Sequence, residues 1–307
     1  MRAAVGVLAF FAAGSLAATV YGTQKSKPVL SVFRANVGIL DSNKTSSDSA
    51  RPVSTSAVPV PADYDGDGIM DLGTWEGATG RWRVQNSSDG SKFTVIWGNS
   101  SKSRKGIGQV VPVPADFDGD GKADVAVWSA ATGDWDILNS STNFDRSKSS
   151  AMRWGVQGDV PVQADYDGDS KADLAVFRPA ENRWLILESK SGSTRSENFG
   201  TAGSDMLVPA DYTGDGKADI AVYRSGTWLV LNSDTGETEP FEFGFADARP
   251  VPGDYDGDGE TDFAVYHSGT WYVYESSSPR LLTYKFGSET DIPLSLIMAK
   301  QSIAGVQ

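Results

Sequence analysis

Short apolar runs alternate along the chain with breaks rich in Asp and Gly, and the alternation repeats as a unit. VPVPADYDGDGIMDLGTW begins at Val58, VPVPADFDGDGKADVAVW at Val111, VPVQADYDGDSKADLAVF at Val160, LVPADYTGDGKADIAVY at Leu207 and PVPGDYDGDGETDFAVY at Pro250. The first aspartates of the breaks, Asp63, Asp116, Asp165, Asp211 and Asp254, are 53, 49, 46 and 43 residues apart. A period of that length is one supersecondary unit. Each unit reads as four short strands: the Val-Pro segment, the apolar run after the Asp loop, a strand opening on Trp82, Trp135, Trp184, Trp228 or Trp271, and a strand ending in an aromatic-Gly pair such as Trp97-Gly98 or Phe286-Gly287. Four antiparallel strands per repeat is the content of a propeller blade.

Proline assigns the strands to places. It cannot donate to a ladder, and Pro59, Pro112, Pro161, Pro209 and Pro250 all fall in the first strand, which is therefore an edge lining the central channel. The second strand is apolar at nearly every position, as a strand covered on both faces should be.

The two ends of the chain look like parts of one further blade. PVLSVFR from Pro28 matches ADLAVFR from Ala172, and VGILDS from Val37 matches WLILES from Trp184; Ile292-Pro293-Leu294 follows Phe286-Gly287 at first-strand spacing. The expected fold is thus an all-β propeller of six blades of four antiparallel strands. Five are complete repeats, at about 58–110, 111–159, 160–206, 207–248 and 249–291. The sixth is composite, residues 28–57 plus 292–298, and closes the ring so that no sheet edge is left open. Its fourth strand is the weak point, because residues 41–56 are Ser-rich and have no aromatic-Gly ending.

Composition adds the setting. Residues 1–22 carry one charge, Arg2, an apolar run and then small residues, the pattern of a cleaved secretory signal peptide, leaving 23–307 as a single domain. Secretion, a periplasmic location or display at the cell surface follows, with no membrane span after cleavage. The chain has no cysteine, so disulfides cannot brace it. Its formal charge of −13 makes nucleic acid a poor partner and cations good ones. A monomer is expected.

The acidic residues are concentrated in the loops. Numbered from the first Asp, carboxylates stand at positions 1, 3, 5 and 9: Asp63, Asp65, Asp67 and Asp71; Asp116, Asp118, Asp120 and Asp124; Asp165, Asp167, Asp169 and Asp173; Asp254, Asp256, Asp258 and Asp262. The fourth loop has Asp211, Asp215 and Asp219 with Thr213 at position 3, and the third has Ser170 where the others have Gly at position 6. Alternating carboxylates on a tight loop suit Ca²⁺, which takes six to eight oxygens, with the backbone carbonyls of Ile69, Lys122, Lys171, Lys217 and Glu260 at position 7 completing each set. Up to five Ca²⁺ are expected, bound more weakly or less rigidly in loops three and four. Position 12 is Thr74, Val127, Val176, Val222 or Val265, so these are not helical EF-hands.

D-x-D-x-D-G-x-x-D before an apolar strand, with an aromatic-Gly pair ending each unit, resembles the FG-GAP repeat of integrin α-chain propellers and the related bacterial VCBS-type repeats. The resemblance covers roughly residues 28–294. It implies Ca²⁺ loops between strands one and two on one face, with partners on the opposite face, and it says little about which ligand is bound.

On that opposite face Arg34, Glu76, Ser129, Arg178, Arg224 and His267 open the turn after strand two. Arg34, Arg178, Arg224 and His267 are the candidates for meeting an anionic glycan or a carboxylate, against the alternative of a solvated rim. The five repeated Trp residues pack the blades or stack on sugars. The reading that results is a secreted binding or adhesion module for a glycan or surface protein, with structural Ca²⁺; the alternative is a polysaccharide hydrolase or lyase on the same scaffold. With His267 the only histidine, no thiol and every clustered carboxylate explained as a metal ligand, no catalytic residue is assigned.

Overall fold

The computed structural model describes residues 31–34, 38–41, 57–99 and 110–294, with the backbone alone described for the first two segments. The signal-peptide reading of residues 1–22 and the expected fourth strand of the composite blade lie outside them.

Five four-stranded antiparallel sheets follow one another along the chain, each in simple sequential order. Blade three is representative: Val160–Pro161, Leu174–Arg178, Arg183–Leu187 and Thr194–Asn198. Burial along these strands explains their order. Strand two is buried at its first four positions and strand three at alternate ones, while strand four, on the rim, has no fully buried residue. The proline-bearing first strands are innermost, and Pro114, Pro161, Pro209 and Pro252 line a central cavity of 920 Å³ with the small residues Ala62, Ala115, Ala164, Ala210 and Gly253. Small side chains there let neighbouring first strands approach the axis.

Each blade is locked by its repeated Trp. Trp82, Trp135, Trp184, Trp228 and Trp271 are at most 1% exposed. Their indole N–H groups donate to the carbonyl of the aromatic that ends strand four in the same blade, at 3.1, 2.9, 3.1, 2.9 and 3.0 Å. A buried indole needs such an acceptor. Held this way, the five Trp rings are packing residues and are closed to a sugar.

The number of blades requires a correction. Among the described residues five blades are complete, and the expected sixth is not seen as a full four-stranded blade. The sheet expected to be the sixth shows three strands among the described residues, Gly38–Asp41, Ser31–Arg34 and Ile292–Pro293 in that order. The closure itself is present: Val32 pairs with Pro293 and Phe33 with Ile292, the register in which Val176 pairs with Pro161 and Phe177 with Val160 in blade three. The third-strand match shifts, because the turn after Arg34 is shorter. Ile39, not Val37, lies opposite Phe33, where Trp184 lies opposite Phe177.

Candidate metal centres

Each Asp loop is the hairpin between strands one and two, pinched shut by a bridge from the residue before position 1 to the position 9 aspartate: Ala62 to Asp71, Ala115 to Asp124, Ala164 to Asp173, Ala210 to Asp219 and Gly253 to Asp262. Within the hairpin the position 1 carboxylate accepts from the amides of positions 4 and 6. In the first loop Gly66 N and Gly68 N donate to Asp63 at 2.6 and 2.8 Å. Such wrapping forces position 6 into the left-handed region. Gly68 has φ +80°, and Ser170 adopts the same turn at φ +66° despite its β-carbon, so the third loop keeps its shape.

The position 9 aspartates are the pivots. All five are 0% exposed. One oxygen of each accepts the amide of the aromatic at position 2, at 2.7 Å for Tyr64 on Asp71 and 2.8 Å for Phe117 on Asp124. The other accepts the amide of a serine in the turn between strands three and four: Ser87, Ser140, Ser189, Ser233 and Ser276, at 2.6 to 2.7 Å. The same serines donate their hydroxyls to the position 5 carboxylates Asp67, Asp120, Asp169, Asp215 and Asp258, at 2.8 to 3.0 Å. This second loop, which closes over the carboxylates from outside, is absent from the motif as read along the sequence. The signal was a serine 14 or 16 residues after each position 9 aspartate.

These contacts bring the expected ligands together. Oxygens of Asp63, Asp65 and Asp71 lie within 4.8 Å of one another, as do those of Asp116, Asp118 and Asp124, of Asp165, Asp167 and Asp173, and of Asp254, Asp256 and Asp262. The fourth loop forms no such triad, as Thr213 dictates. Burial pushes Asp124 and Asp173 up to about 6, against the pull of their amide donors, and the neighbouring Asp118 and Asp167 push the same way. Buried carboxylates this close repel one another unless a cation or protons intervene.

The donor set fits a hard cation. Amides and hydroxyls satisfy part of each cluster, yet Oδ1 of Asp118 and Oδ1 of Asp167 are buried without a hydrogen-bond partner, an arrangement that costs free energy unless something else supplies positive charge. Asp65, Asp118 and their equivalents at position 3, with positions 1, 5 and 9 and the position 7 carbonyls, would hold Ca²⁺ there.

On the opposite face the ring residues are not equivalent. Arg178 grips Asp159 with Nε and Nη2, each at 2.9 Å, and the Asp159 side chain is 2% exposed. Arg224 holds Asp205, also buried, with Nη2 at 2.8 Å. Asp159 and Asp205 accept in turn from the amides of Val156 and Thr201, fastening the turn between blades. Glu76 is engaged by Arg83 at 2.6 Å, and Ser129 is buried. His267 differs: its partner Asp247, at 3.2 Å, is 78% exposed, and the Phe245 ring lies 5.0 Å from the imidazole. Arg34 ends the equivalent strand of the closing sheet.

Replacing Arg178 with Ala strands a buried carboxylate, so Arg178→Ala should lower unfolding free energy by about 3 kcal/mol. His267→Ala, whose partner is in water, should change it by less than about 1 kcal/mol. Urea denaturation of both variants separates the fastened rim from the open one; equal losses would contradict this division.

The FG-GAP-like repeat model matches residues 63–127 and 165–222. No curated protein matches the chain. Among solved structures, an Agrocybe aegerita lectin specific for non-reducing terminal N-acetylglucosamine superposes with a TM-score of 0.54 at 12% identity, over 88% of this chain and 95% of its own. TolB from Acinetobacter baumannii superposes with a TM-score of 0.55 at 15% identity, over 87% of this chain and 66% of its own. At these identities the likeness is one of fold. Among the described residues, no helix is long and apolar enough to cross a membrane.

Proposed function

Starting from a β-propeller built with FG-GAP-like repeats, we propose that the chain is an exported binding module, braced by Ca²⁺ in its Asp loops, which engages a glycan on the face away from them. The observation that carries the calcium part is the fourfold recurrence of one aspartate triad, each with oxygens within 4.8 Å, two of them with an orphaned buried oxygen. Carboxylate-rich, oxygen-only sites suit Ca²⁺ better than softer metals, and small loops of this size leave room for its high coordination number.

Recognition is assigned to blade five. Arg178 and Arg224 are spent on buried aspartates, whereas His267, exposed Asp247 and Phe245 offer a ring face beside polar groups, the combination that receives a sugar. The Agrocybe aegerita lectin supports a propeller as a scaffold for such binding, although its fold alone is shared.

Isothermal titration of Ca²⁺ into chelator-treated protein should give four or five equivalents, and an absence of binding would remove the calcium reading. A glycan array with wild type and Asp247→Asn tests the second part. Binding that the variant loses supports it, and binding unaffected by the substitution moves the site elsewhere.

A further inference from the structure

The five loops are not separate. The N–H of Ala123 donates to the backbone carbonyl of Asp63 at 2.6 Å, Ala172 to Asp116 at 2.6 Å, Ala218 to Asp165 at 2.6 Å and Thr261 to Asp211 at 2.7 Å. In every case position 8 of one loop reaches back to position 1 of the loop before it. The peptide that makes this bond joins positions 7 and 8, so its carbonyl is the position 7 oxygen expected to ligate the ion in its own loop. One rigid peptide plane thus links two loops, its N–H bonded to the preceding one and its oxygen the expected ligand in its own.

A second contact follows the same path. The side chain at position 7 lies over the glycine at position 4 of the preceding loop. A β-carbon on Gly66, Gly119 or Gly168 would stand 3.2, 2.9 or 3.0 Å from Lys122, Lys171 or Lys217, and one on Gly214 would stand 3.5 Å from Glu260. The first loop has no Asp loop before it, and its position 7 residue, Ile69, is 46% exposed.

We propose that the loops form a linear cooperative array in which Ca²⁺ at one site raises the affinity of its sequence neighbours through the peptides 122–123, 171–172, 217–218 and 260–261. This rests on the calcium reading above. A cation on a peptide oxygen polarises the whole amide, making its N–H a stronger donor to the preceding Asp carbonyl. Conversely, an ion that fixes position 1 of one loop fixes the acceptor that orients the next loop's ligating carbonyl. Such coupling is reciprocal, so neither direction around the ring is privileged. The array is open, running from loop one to loop five, because the closing sheet has no Asp loop in its sequence. The fourth loop, without a position 3 carboxylate, gains most, since it has filled neighbours on both sides.

Calcium titration of the full chain against a competing chelator tests this, with wild type, Asp120→Asn in the interior second loop and Asp258→Asn in the terminal fifth. Both replace exposed position 5 carboxylates and leave the buried position 9 pivots intact. Wild type should bind with a Hill coefficient above 1. Asp120→Asn should weaken its own site and two others by about fivefold, and Asp258→Asn its own and one other. Ala172→Pro, which deletes one bridging N–H and no carboxylate, should keep the stoichiometry and lower the Hill coefficient; should it not fold, the two Asp variants still decide. Unchanged affinity at every remaining site overturns the coupling while leaving the calcium reading in place. No binding by wild type overturns both.

Discussion

EDTA at neutral pH should lower the melting temperature by on the order of 20 °C, and excess Ca²⁺ should restore it. A ligand that binds only the folded state stabilises it by about 2.7 kcal/mol per site at a hundredfold excess over its dissociation constant, so four regular sites together contribute about 10 kcal/mol. At this chain length each kcal/mol moves the midpoint by about 2 °C. The structure gives a reason for the loss to be global. Each position 9 aspartate ties together the end of strand one, the start of strand two and the turn between strands three and four, so a distorted loop loosens its entire blade. With no disulfide available, the remaining brace is hydrophobic packing. Mg²⁺ should protect much less, because it demands a tighter octahedral shell than these loops present. A melting curve indifferent to EDTA would remove calcium from the account of stability.

Much of this architecture was legible in the sequence because one register recurs five times. Proline in every first strand gave the inner edge, and Asp at positions 1, 3 and 9 gave the clusters now found within 4.8 Å. What escaped was whatever depends on turns of varying length. Ser87, Ser140, Ser189, Ser233 and Ser276 perform one task, yet their offset from position 9 changes from 16 to 14 residues and serine is ordinary in turns, so their recurrence was a weak signal. Asp159 and Asp205 likewise sit in connections of unequal length between strand four and the next strand one. Without them Arg178 and Arg224 read as free cations on a rim, whereas both are fasteners. Blade five shows the converse: the place directly before strand one, held by Asp159 and Asp205 in the other two blades, is taken by buried Ala248, so Asp247 falls one residue earlier and stays in solvent, and His267 is left the open member of the ring. The sixth blade is described only in part, because the expected fourth strand falls in the Ser-rich residues 41–56, which lack an aromatic-Gly ending and lie almost wholly outside the described residues.

Deleting residues 291–307 should destabilise the whole domain rather than fray one end. The segment removed includes Ile292–Pro293, which pairs with Ser31–Arg34, and brings two buried residues with it, Asp291 at 0% and Leu294 at 3% exposure. Fully burying one large aliphatic side chain contributes about 1.5 to 3 kcal/mol, so loss of buried Leu294 and half-buried Ile292 removes about 3 kcal/mol. Two further losses add to that. The Asp291 carboxylate that accepts from Ser288 N at 2.9 Å disappears, releasing the turn whose carbonyl receives the Tyr266 hydroxyl. The inner edge of the N-terminal strand pair is also exposed, an unpaired ladder that invites association between molecules. A ring of blades differs here from a linear stack, because opening it at the closing sheet frees the blades on both sides of the break. The truncated protein should therefore unfold in one transition, at least 10 °C lower, and elute partly as aggregates on size-exclusion chromatography. Leu294→Ala isolates the packing contribution, expected at about 2 to 4 kcal/mol by urea denaturation. A truncated chain that melts with the full-length protein would mean that the N-terminal strands are not held from the C-terminal side, and closure would have to come from elsewhere.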